Sequence, residues 1–389
     1  MVVDAASVLD VAWLPFMTSI LAPQLLRRGV EIFAAISVVV FAGLLLYGNN
    51  LQQFASAMLN LRWHWVLIGV AVASLDWFGG GLRLYLLAKH VYPKTQLKGA
   101  ILSAGLNAWA TLITPSQAGG GPLGIYTLRR YGTPIPEGMV STFMSFVATI
   151  LFFSVAGPLA VFLGAGQSLK EHGILGVATL NDLFRLSLGG FITVGAVLLF
   201  LMIFPGVARR LARGIVAWLE RRGSEKLARR VSGLNDGIDR AHHAMVAFFK
   251  GRGWFALAGS VLLTAPTLAN KLLAGYIVLQ ALDIHAPFVD VLLLQTLIIF
   301  LLYFAPTPGG SGLAEVLSAA VMSIYVPREL TPSYVLLWRL FVGYLTLGVG
   351  SYVFWRWLKL WEEQLATEEA NGPDDQANGG SVAPPSKGD

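Results

Sequence analysis

The sequence contains no cysteine and few charged residues. Aspartate, glutamate, lysine and arginine make up 13% of its 389 residues, about half of the roughly 25% that is usual in soluble domains. The absence of cysteine excludes disulfides, thiolate zinc sites and cysteine nucleophiles. Because 55% of the residues are apolar, the composition also excludes an ordinary water-soluble enzyme.

Sequence signatures of common enzymes are missing as well. The chain has no HExxH zinc motif, no GxSxG nucleophile elbow and no phosphate-binding P-loop. The adjacent His242 and His243 lie in a basic stretch and not beside a carboxylate. We therefore predict no catalytic residue, no metal site and no cofactor. Because there is no ATP site, any transport is expected to be passive or ion-coupled.

Long apolar runs are what the sequence has instead. Two apolar stretches, 97–131 and 289–325, are interrupted in the middle by proline and glycine, so each half is too short to cross a bilayer. We predict an all-α integral membrane protein with about six full spans and two re-entrant pairs of broken helices. The predicted full spans are 30–47, 66–87, 139–163, 186–204, 254–282 and 334–357.

Three segments flank or interrupt the predicted transmembrane domain, which covers 30–361. Residues 1–29 carry acids before bases, the reverse of a cleavable signal, and are predicted to form a surface segment. Residues 205–253 hold eleven Lys or Arg against four acids, with apolar residues at helical spacing. This pattern predicts an amphipathic cytoplasmic segment on the membrane surface and no nucleic-acid partner. Residues 362–389 are acidic and rich in Asn, Gly and Pro, which predicts a disordered tail.

The basic residues outside the runs indicate the orientation. They fall on one side of the membrane if six spans are drawn and the interrupted stretches do not cross. By the positive-inside rule this side is cytoplasmic, and both termini lie there. The first interrupted stretch then enters from the cytoplasm and the second from the opposite face. Residues 30–163 and 186–358 are therefore predicted to be the two halves of an inverted-topology repeat.

The two interruptions align in sequence. ITPSQAGGGPLGIYTL and FAPTPGGSGLAEVLSA match at the first proline and again at the glycines and serine that follow. In inverted-repeat transporters such broken helices meet at a central site, and free amides at a helix N-terminus attract anions. The alternative is that both breaks are kinks packed against neighbouring helices. The predicted structural breaks are Pro115, Pro306, Gly309 and Gly310, and the predicted binding positions at the helix starts are Gly119, Gly120, Gly121, Pro122, Ser311 and Gly312.

Charged residues inside the apolar runs are the other candidates for the site, because an intramembrane charge is costly and is usually functional. Lys271 and Arg339 lie well inside their runs, so we predict that they bind an anionic headgroup. Arg83 either joins them or extends to the cytoplasmic interface, and Asp76 is its expected ion-pair partner. Glu315 either stabilises the start of its helix or binds a cationic headgroup or a proton.

Three motifs resemble a known family. TPSQAGGGPLGIYTLRRYG, APTPGGSGLAEV and YVLLWRLFVGY are similar to motifs of the transmembrane domain of lysylphosphatidylglycerol synthases and of its free-standing, flippase-like relatives. The likeness covers about residues 30–358. It departs from the family pattern at Gly121 and Gly124, where many relatives have an acid and a base. The family motifs fall on Pro115, Gly119, Gly120 and Pro122, on Pro306, Gly309, Gly310, Gly312 and Glu315, and on Arg339.

The resemblance implies a lipid translocator, a flippase or scramblase, in a bacterial inner membrane. Its expected cargo is an anionic or aminoacylated phospholipid or a related lipid-linked headgroup. Its expected partners are membrane phospholipids, and a homodimer is left open. The alternative is a lipid-modifying enzyme subunit, such as a phosphatidylglycerol lysyltransferase completed by a partner catalytic chain. The residues after Leu358 are too few for the soluble aminoacyl-transferase domain, so no enzyme activity is expected from this chain alone.

Overall fold

The described part of the chain is helical throughout its regular elements. A computed structural model describes residues 23–48, 51–114, 119–162, 252–303 and 305–356, together with isolated positions between 189 and 248. No β-strand occurs among these residues. Several segments are long and apolar enough to cross a membrane. The chain is therefore an all-α, multi-pass membrane protein, as the composition predicts.

Seven helices make up the first half of the described chain. The proline- and glycine-containing break at 115–119 separates two of them, which pack against each other as a hairpin. The helices are α1 (Pro23–Gly48), α2 (Leu51–Leu59), α3 (Trp63–Ala73), α4 (Leu75–Val91), α5 (Leu97–Ile113), α6 (Gly120–Arg130) and α7 (Ile135–Phe162).

The second half of the described chain also has a long helix followed by shorter helices on either side of a glycine-rich break. The chain divides into two compact units, Met1–Leu347 and Gly348–Asp389, and the described part of the second unit, 348–356, is helical. The helices are α8 (Gly253–Ala281), α9 (Phe288–Leu302), α10 (Leu313–Met322) and α11 (Thr331–Arg339). Short 3₁₀ turns lie at Pro308–Gly310 and Arg328–Leu330, and a π-helical turn at Leu340–Tyr344 follows α11.

The described helices match the predicted spans, with differences at the ends. The predicted span 186–204 lies outside the described residues apart from isolated positions, as do most of 205–253 and all of 362–389. Helix α1 begins at Pro23 and so includes the last residues of the segment 1–29, which the sequence assigned to the membrane surface. Among the described residues, the segments long and apolar enough to cross are Arg27–Leu46, Trp63–Val91, Ile135–Ala156, Gly253–Ala281 and Arg328–Arg356.

Two local features were not predicted. Helix α2 has no fully buried residue. Its apolar residues Leu51, Phe54, Met58 and Leu59 recur at helical spacing, but the segment is too short to cross a membrane and is not among the predicted spans. A turn at Ser74 divides the second span into α3 and α4. The Ser74 hydroxyl donates to the Ala71 carbonyl at 2.6 Å, a local hydrogen bond of the kind that bends helices.

Helix α4 lies close to two neighbours because three consecutive glycines occur in it. A Cβ added at Gly79 would lie 3.3 Å from the Thr267 Cα of α8, and one at Gly81 would lie 2.5 Å from the Ile101 Cα of α5. Small residues allow helix backbones to approach in this way in membrane proteins. The glycines therefore let α4 bind α5 on one side and α8 on the other.

Helices α4 and α8 run antiparallel. Asp76 near the start of α4 contacts Lys271 in the later part of α8. Arg83, seven residues further along α4, contacts Thr264, seven residues earlier in α8. Helix α8 also packs against α3, α7 and α9. The contact between α4 and α8 thus joins the two halves of the chain at the centre of the first unit.

Candidate functional site

The first break ends in a local cap. Residues 115–118, and with them Pro115, lie outside the described residues. On the near side, the Thr114 hydroxyl donates to the Ala110 carbonyl at 2.6 Å and accepts the Gly119 N–H at 2.9 Å. Thr114 therefore links the last turn of α5 to Gly119, the residue directly before α6.

The glycines at the start of α6 have different surroundings. A Cβ on the buried Gly120 would overlap the Thr111 hydroxyl of α5. One turn later, a Cβ on Gly124 would lie 3.2 Å from the Ser103 hydroxyl. A Cβ on Gly121 would meet nothing within 4 Å, and the neighbouring Pro122 is half-buried. Gly120 and Gly124 thus face α5, whereas Gly121 faces open space at the first turn of α6.

The second break depends on glycine conformation. Gly309, Gly310 and Gly312 have φ angles of 55°, 65° and 86°, in the left-handed region that costs other residues roughly 1 to 2 kcal/mol. Pro306 before them is exposed. The Ser311 hydroxyl is buried and has no hydrogen-bond partner among the described residues. The motif read from sequence is therefore a real change of chain direction.

A buried ion pair closes this second break. The Glu315 carboxylate of α10 accepts the Arg339 Nε–H of α11 at 2.8 Å, and each side chain is 2% exposed. The same carboxylate accepts the Gly312 N–H at 2.7 Å and the Ser37 hydroxyl of α1 at 3.2 Å. Arg339 Nη1 also donates to the Gly309 carbonyl at 3.2 Å. The amide at the start of α10 is therefore bound by the chain's own carboxylate.

Arg339 lies among aromatic rings at the end of α11. Its guanidinium carbon is 5.5 Å from the centre of the Phe33 ring and 5.9 Å from that of Trp338, distances at which a cation is attracted to a ring face. The π-helical turn at Leu340–Tyr344 begins directly after it, and such turns are frequent at functional sites.

The two breaks lie against one face of α1. Gly29 packs against the Ile113 carbonyl at the end of α5. One turn later, Phe33 packs against Gly309, and one turn later again, Ser37 binds Glu315. Gly309 itself lies next to the Leu112 carbonyl, where an added Cβ would be 2.9 Å away. The tip of the second break therefore contacts the end of the helix that leads into the first.

A second cluster of charges lies between α4, α7 and α8. Lys271 Nζ is 3.5 Å from the Asp76 carboxylate, and the side chains of Lys271 and Asp76 are 26% and 7% exposed. No residue of α8 from 266 to 281 is exposed, so protein surrounds this half of the helix. Lys271 is therefore partly accessible, whereas its partner Asp76 is buried.

Arg83 points into the same region. Its Nη1 donates to the hydroxyls of Thr149 in α7 and Thr264 in α8, each at 3.0 Å. Its Nε is buried without a partner among the described residues. The ion pair expected between Asp76 and Arg83 is not formed, because Asp76 binds Lys271 instead. Seven residues, about 10 Å along a helix, separate the two residues of α4, and α8 places its lysine at the height of the aspartate.

Sequence reasoning missed the hydroxyl groups of both clusters. Ser37, Thr149 and Thr264 lie in apolar runs. Their small hydroxyl side chains do not interrupt an apolar run in the way that a charged side chain does. Tyr303 at the end of α9 lies close enough to interact electrostatically with Arg83 and Lys271, and its ring packs against Phe153. Thr264 could have been noticed because it is seven residues before Lys271 and therefore shares its helix face.

The described residues contain no group of three His, Asp or Glu side chains that could hold a metal ion. The two charge clusters offer a ligand fixed positive charge and hydroxyl donors inside the helix bundle. The cluster around Glu315 is neutral in sum and buried, with Arg339 Nη2 left without a partner among the described residues. The cluster around Lys271 carries two cations against one carboxylate, and its lysine side chain is 26% exposed.

Comparison with known proteins identifies related sequences over most of the chain. A family described as "Lysylphosphatidylglycerol synthase TM region" matches residues 32–350, a range that contains both charge clusters and both breaks. The chain is also similar to a protein named "UPF0104 membrane protein" from Archaeoglobus fulgidus, with 21% identity over 332 residues. The match covers 83% of this chain and 94% of that protein.

Proposed function

The chain belongs to the family of the lysylphosphatidylglycerol synthase transmembrane region, and from this premise we propose that it moves a phospholipid from one leaflet to the other. The cargo is an anionic or aminoacylated phospholipid or a related lipid-linked headgroup. In each case the phosphate is the group that must be sheltered from hydrocarbon. A single charge at the bilayer centre costs at least about 2.5 to 3.5 kcal/mol, so a translocator needs cations and donors along the path.

The observation that carries this proposal is the position of Lys271. Its ammonium lies in a helix long enough to span the membrane. The Lys271 side chain is 26% exposed, and its carboxylate partner among the described residues, Asp76, is 3.5 Å away. Arg83 adds a second cation, which among the described residues donates hydrogen bonds to neutral hydroxyls. A phosphate beside these two cations would meet opposite charge and hydrogen-bond donors, the groups that replace water around an anion.

The breaks support the same function. Irregular backbone at membrane depth is tolerated where it is buried in protein or lines a cavity, and in transporters it marks the binding site. Here Gly121 faces open space, and the two breaks meet along α1. The antiparallel contact of α4 with α8, which occupy corresponding positions in the two halves, is what an inverted repeat requires.

Lipid exchange in proteoliposomes tests the proposal. Fluorescent phospholipid is placed in both leaflets, and dithionite, which does not cross the membrane, bleaches the outer leaflet. With the protein present, the inner label is expected to become bleachable. Lys271→Ala is expected to slow this exchange about ten- to a hundred-fold, the loss of one charge-assisted contact. Lys89→Ala is the matched control, because Lys89 is exposed at the end of α4 and contacts only Tyr85 among the described residues. Exchange equal to that of empty vesicles for every headgroup would contradict the function.

The family description favours one second candidate, a subunit of a lipid-modifying enzyme. A synthase needs a catalytic chain to bind and activate its donor, and the described residues offer no catalytic motif. Lipids extracted from cells that express this chain alone would decide between the two. A new aminoacylated lipid in those extracts would favour the enzyme, whereas an unchanged lipid profile together with exchange in liposomes would favour translocation.

A further inference from the structure

The charges of the central cluster do not cancel. We define this cluster as Asp76, Arg83 and Lys271, with the hydroxyls of Thr149 and Thr264. Among the described residues the two cations face one carboxylate, which leaves one positive charge. Tyr303 also lies close to the two cations and brings a phenolic hydroxyl.

We propose that the central cluster selects headgroups with one net negative charge, and that the lipid phosphate joins Asp76 as a second anionic partner of the two cations, Lys271 and Arg83. This inference rests on the proposed function and names the substrate class of the same site. The class is a phosphodiester lipid without a compensating ammonium group.

The contact between Lys271 and Asp76 leaves room for a second partner. Strong bonds between an ammonium and a carboxylate are about 2.7 to 2.9 Å long, whereas Lys271 and Asp76 are 3.5 Å apart. An ammonium has three donors, and the 26% exposure of Lys271 leaves part of it open to a ligand. Asp76 is held on the closed side of the pair, at 7% exposure. A phosphate that approaches from the accessible side of the pair therefore reaches Lys271 first.

Arg83 fixes the number of charges. Its partners Thr149 and Thr264 are neutral, and its buried Nε has no partner among the described residues. Its charge is thus solvated by hydroxyls but not neutralised. A monoanionic headgroup brings the cluster to zero, a zwitterionic headgroup leaves one positive charge, and a cationic headgroup leaves two. Each uncompensated buried charge is unfavourable, so the monoanion is preferred.

The other buried charges do not change this count. Glu315 and Arg339 neutralise each other at 2.8 Å, and both side chains are 2% exposed. The carboxylate is also saturated by Gly312 and Ser37. A ligand would have to break several contacts to use the carboxylate. Arg339 Nη2 has no partner among the described residues, but it is buried and the charge of Arg339 is already neutralised. We therefore assign headgroup selection to the central cluster and not to the ion pair at the second break.

The test measures headgroup preference and not rate alone. Proteoliposomes contain tail-labelled phosphatidylglycerol, with one negative charge, or tail-labelled phosphatidylcholine, with none. For the unmodified protein we expect phosphatidylglycerol to exchange at least about ten times faster, the effect of one charge-assisted contact. Lys271→Gln lowers the charge of the cluster to zero, and the ratio of the two rates is expected to fall to about one.

The double variant Asp76→Asn with Lys271→Gln keeps the charge at one and leaves no carboxylate unpaired. It is expected to recover a preference for phosphatidylglycerol, which a purely structural ion pair would not produce. It also keeps the test valid if Lys271→Gln alone fails to fold, because the double variant removes both members of the pair. Lys89→Ala, outside the cluster, is expected to leave the ratio unchanged.

The outcomes separate this inference from the function on which it rests. No exchange of either lipid by the unmodified protein would overturn the proposed function. Exchange of both lipids at equal rates would overturn the inference and leave the function standing. So would a ratio that stays the same in Lys271→Gln, or a double variant that exchanges lipids without recovering the preference.

Discussion

At the scale of single residues, the pairing of Arg339 with Glu315 shows how this protein keeps full charges in an apolar interior. The carboxylate accepts bonds from a guanidinium, a backbone amide and a hydroxyl. Such saturation is what a buried ion pair requires, because removal of one partner leaves the other charge unpaired in a low-dielectric environment. The pair therefore holds α1, α10 and α11 together at the second break.

Arg339→Ala is consequently expected to destabilise the protein. Loss of one member of a buried pair typically costs about 3 to 5 kcal/mol, so the melting temperature in detergent should fall sharply, and transport should be lost with it. Replacement of both residues, Arg339→Gln with Glu315→Gln, is expected to recover part of the stability.

The control is an ion pair on the surface. Arg62 and Asp283 are 2.6 Å apart with side chains 43% and 57% exposed, and exposed pairs contribute at most about 1 kcal/mol. Arg62→Ala should therefore change the melting temperature little. An Arg339→Ala protein as stable as Arg62→Ala would contradict the structural role of the buried pair.

At the scale of helices, α6 packs closely against α5 through some of its glycines and not others. The effect of an alanine substitution on stability therefore depends on which glycine is replaced. Gly120→Ala would place a methyl group on the Thr111 hydroxyl, whereas Gly121→Ala would place it in open space. Overpacking of this kind typically costs about 1 to 3 kcal/mol. Alanine in a helix is favoured over glycine by about 0.5 to 1 kcal/mol.

We expect Gly120→Ala to lower the melting temperature and Gly121→Ala to leave it unchanged or raise it slightly. Lipid exchange adds a second readout, because a larger side chain at Gly121, such as leucine, would fill the open space at the start of α6. Gly121→Leu is expected to slow exchange while the protein remains folded. Full exchange with leucine at this position would show that the open space is not on the lipid path.

Helices α9 and α10 are joined outside the spans by a hydrogen bond from the Tyr325 hydroxyl to the Asp290 carboxylate. Burial, together with this hydrogen bond, raises the pKa of Tyr325 to about 12. Because the pKa is raised above the usual value near 10, the contribution of the bond is fully present below about pH 10. It is lost as the pH rises through about 12.

Tyr325→Phe is therefore expected to lower the stability by about 1 kcal/mol, the usual value for one hydrogen bond. The difference in melting temperature between the two proteins should be the same at neutral and mildly alkaline pH. Thermal unfolding over this range measures it. A difference that disappears well below pH 10 would contradict a hydrogen bond donated by a protonated Tyr325 hydroxyl to the Asp290 carboxylate.

At the scale of the whole molecule, the antiparallel contact of α4 with α8 places the ends of these helices on opposite faces of the membrane. Lys94 follows α4 and His285 follows α8, and both are exposed. The positive-inside rule predicts that the end of α4, with its lysines, lies in the cytoplasm. Both termini are predicted to lie on that side as well, in a bacterial inner membrane.

Single-cysteine labelling checks this arrangement, and the natural absence of cysteine means that no background site has to be removed. In intact cells a membrane-impermeant maleimide is expected to label His285→Cys and not Lys94→Cys. After the membrane is opened, both should react. Labelling of both positions from outside would contradict the antiparallel crossing, and labelling of Lys94→Cys alone would reverse the orientation.

The sequence by itself determined the membrane class, the positions of the described long helices and the two breaks. These features are local: a span is recognised by the length of its apolar run, and a break by proline and by glycines such as Gly309, which adopts a left-handed conformation in the structure. The intramembrane charges were also visible, because a lysine such as Lys271 stands out in an apolar run. The family was recognisable from the same motifs.

Only the tertiary structure decided which charges meet. Asp76 binds Lys271, far away in sequence, and not Arg83 on its own helix, because the crossing of α4 and α8 sets the height at which the side chains face each other. Arg339, expected from sequence to bind a headgroup, lies against Glu315 because α10 and α11 pack side by side. Gly120 and Gly121 are neighbours in sequence, yet one touches α5 and the other open space. Such distinctions depend on the packing of distant helices, which no local pattern encodes.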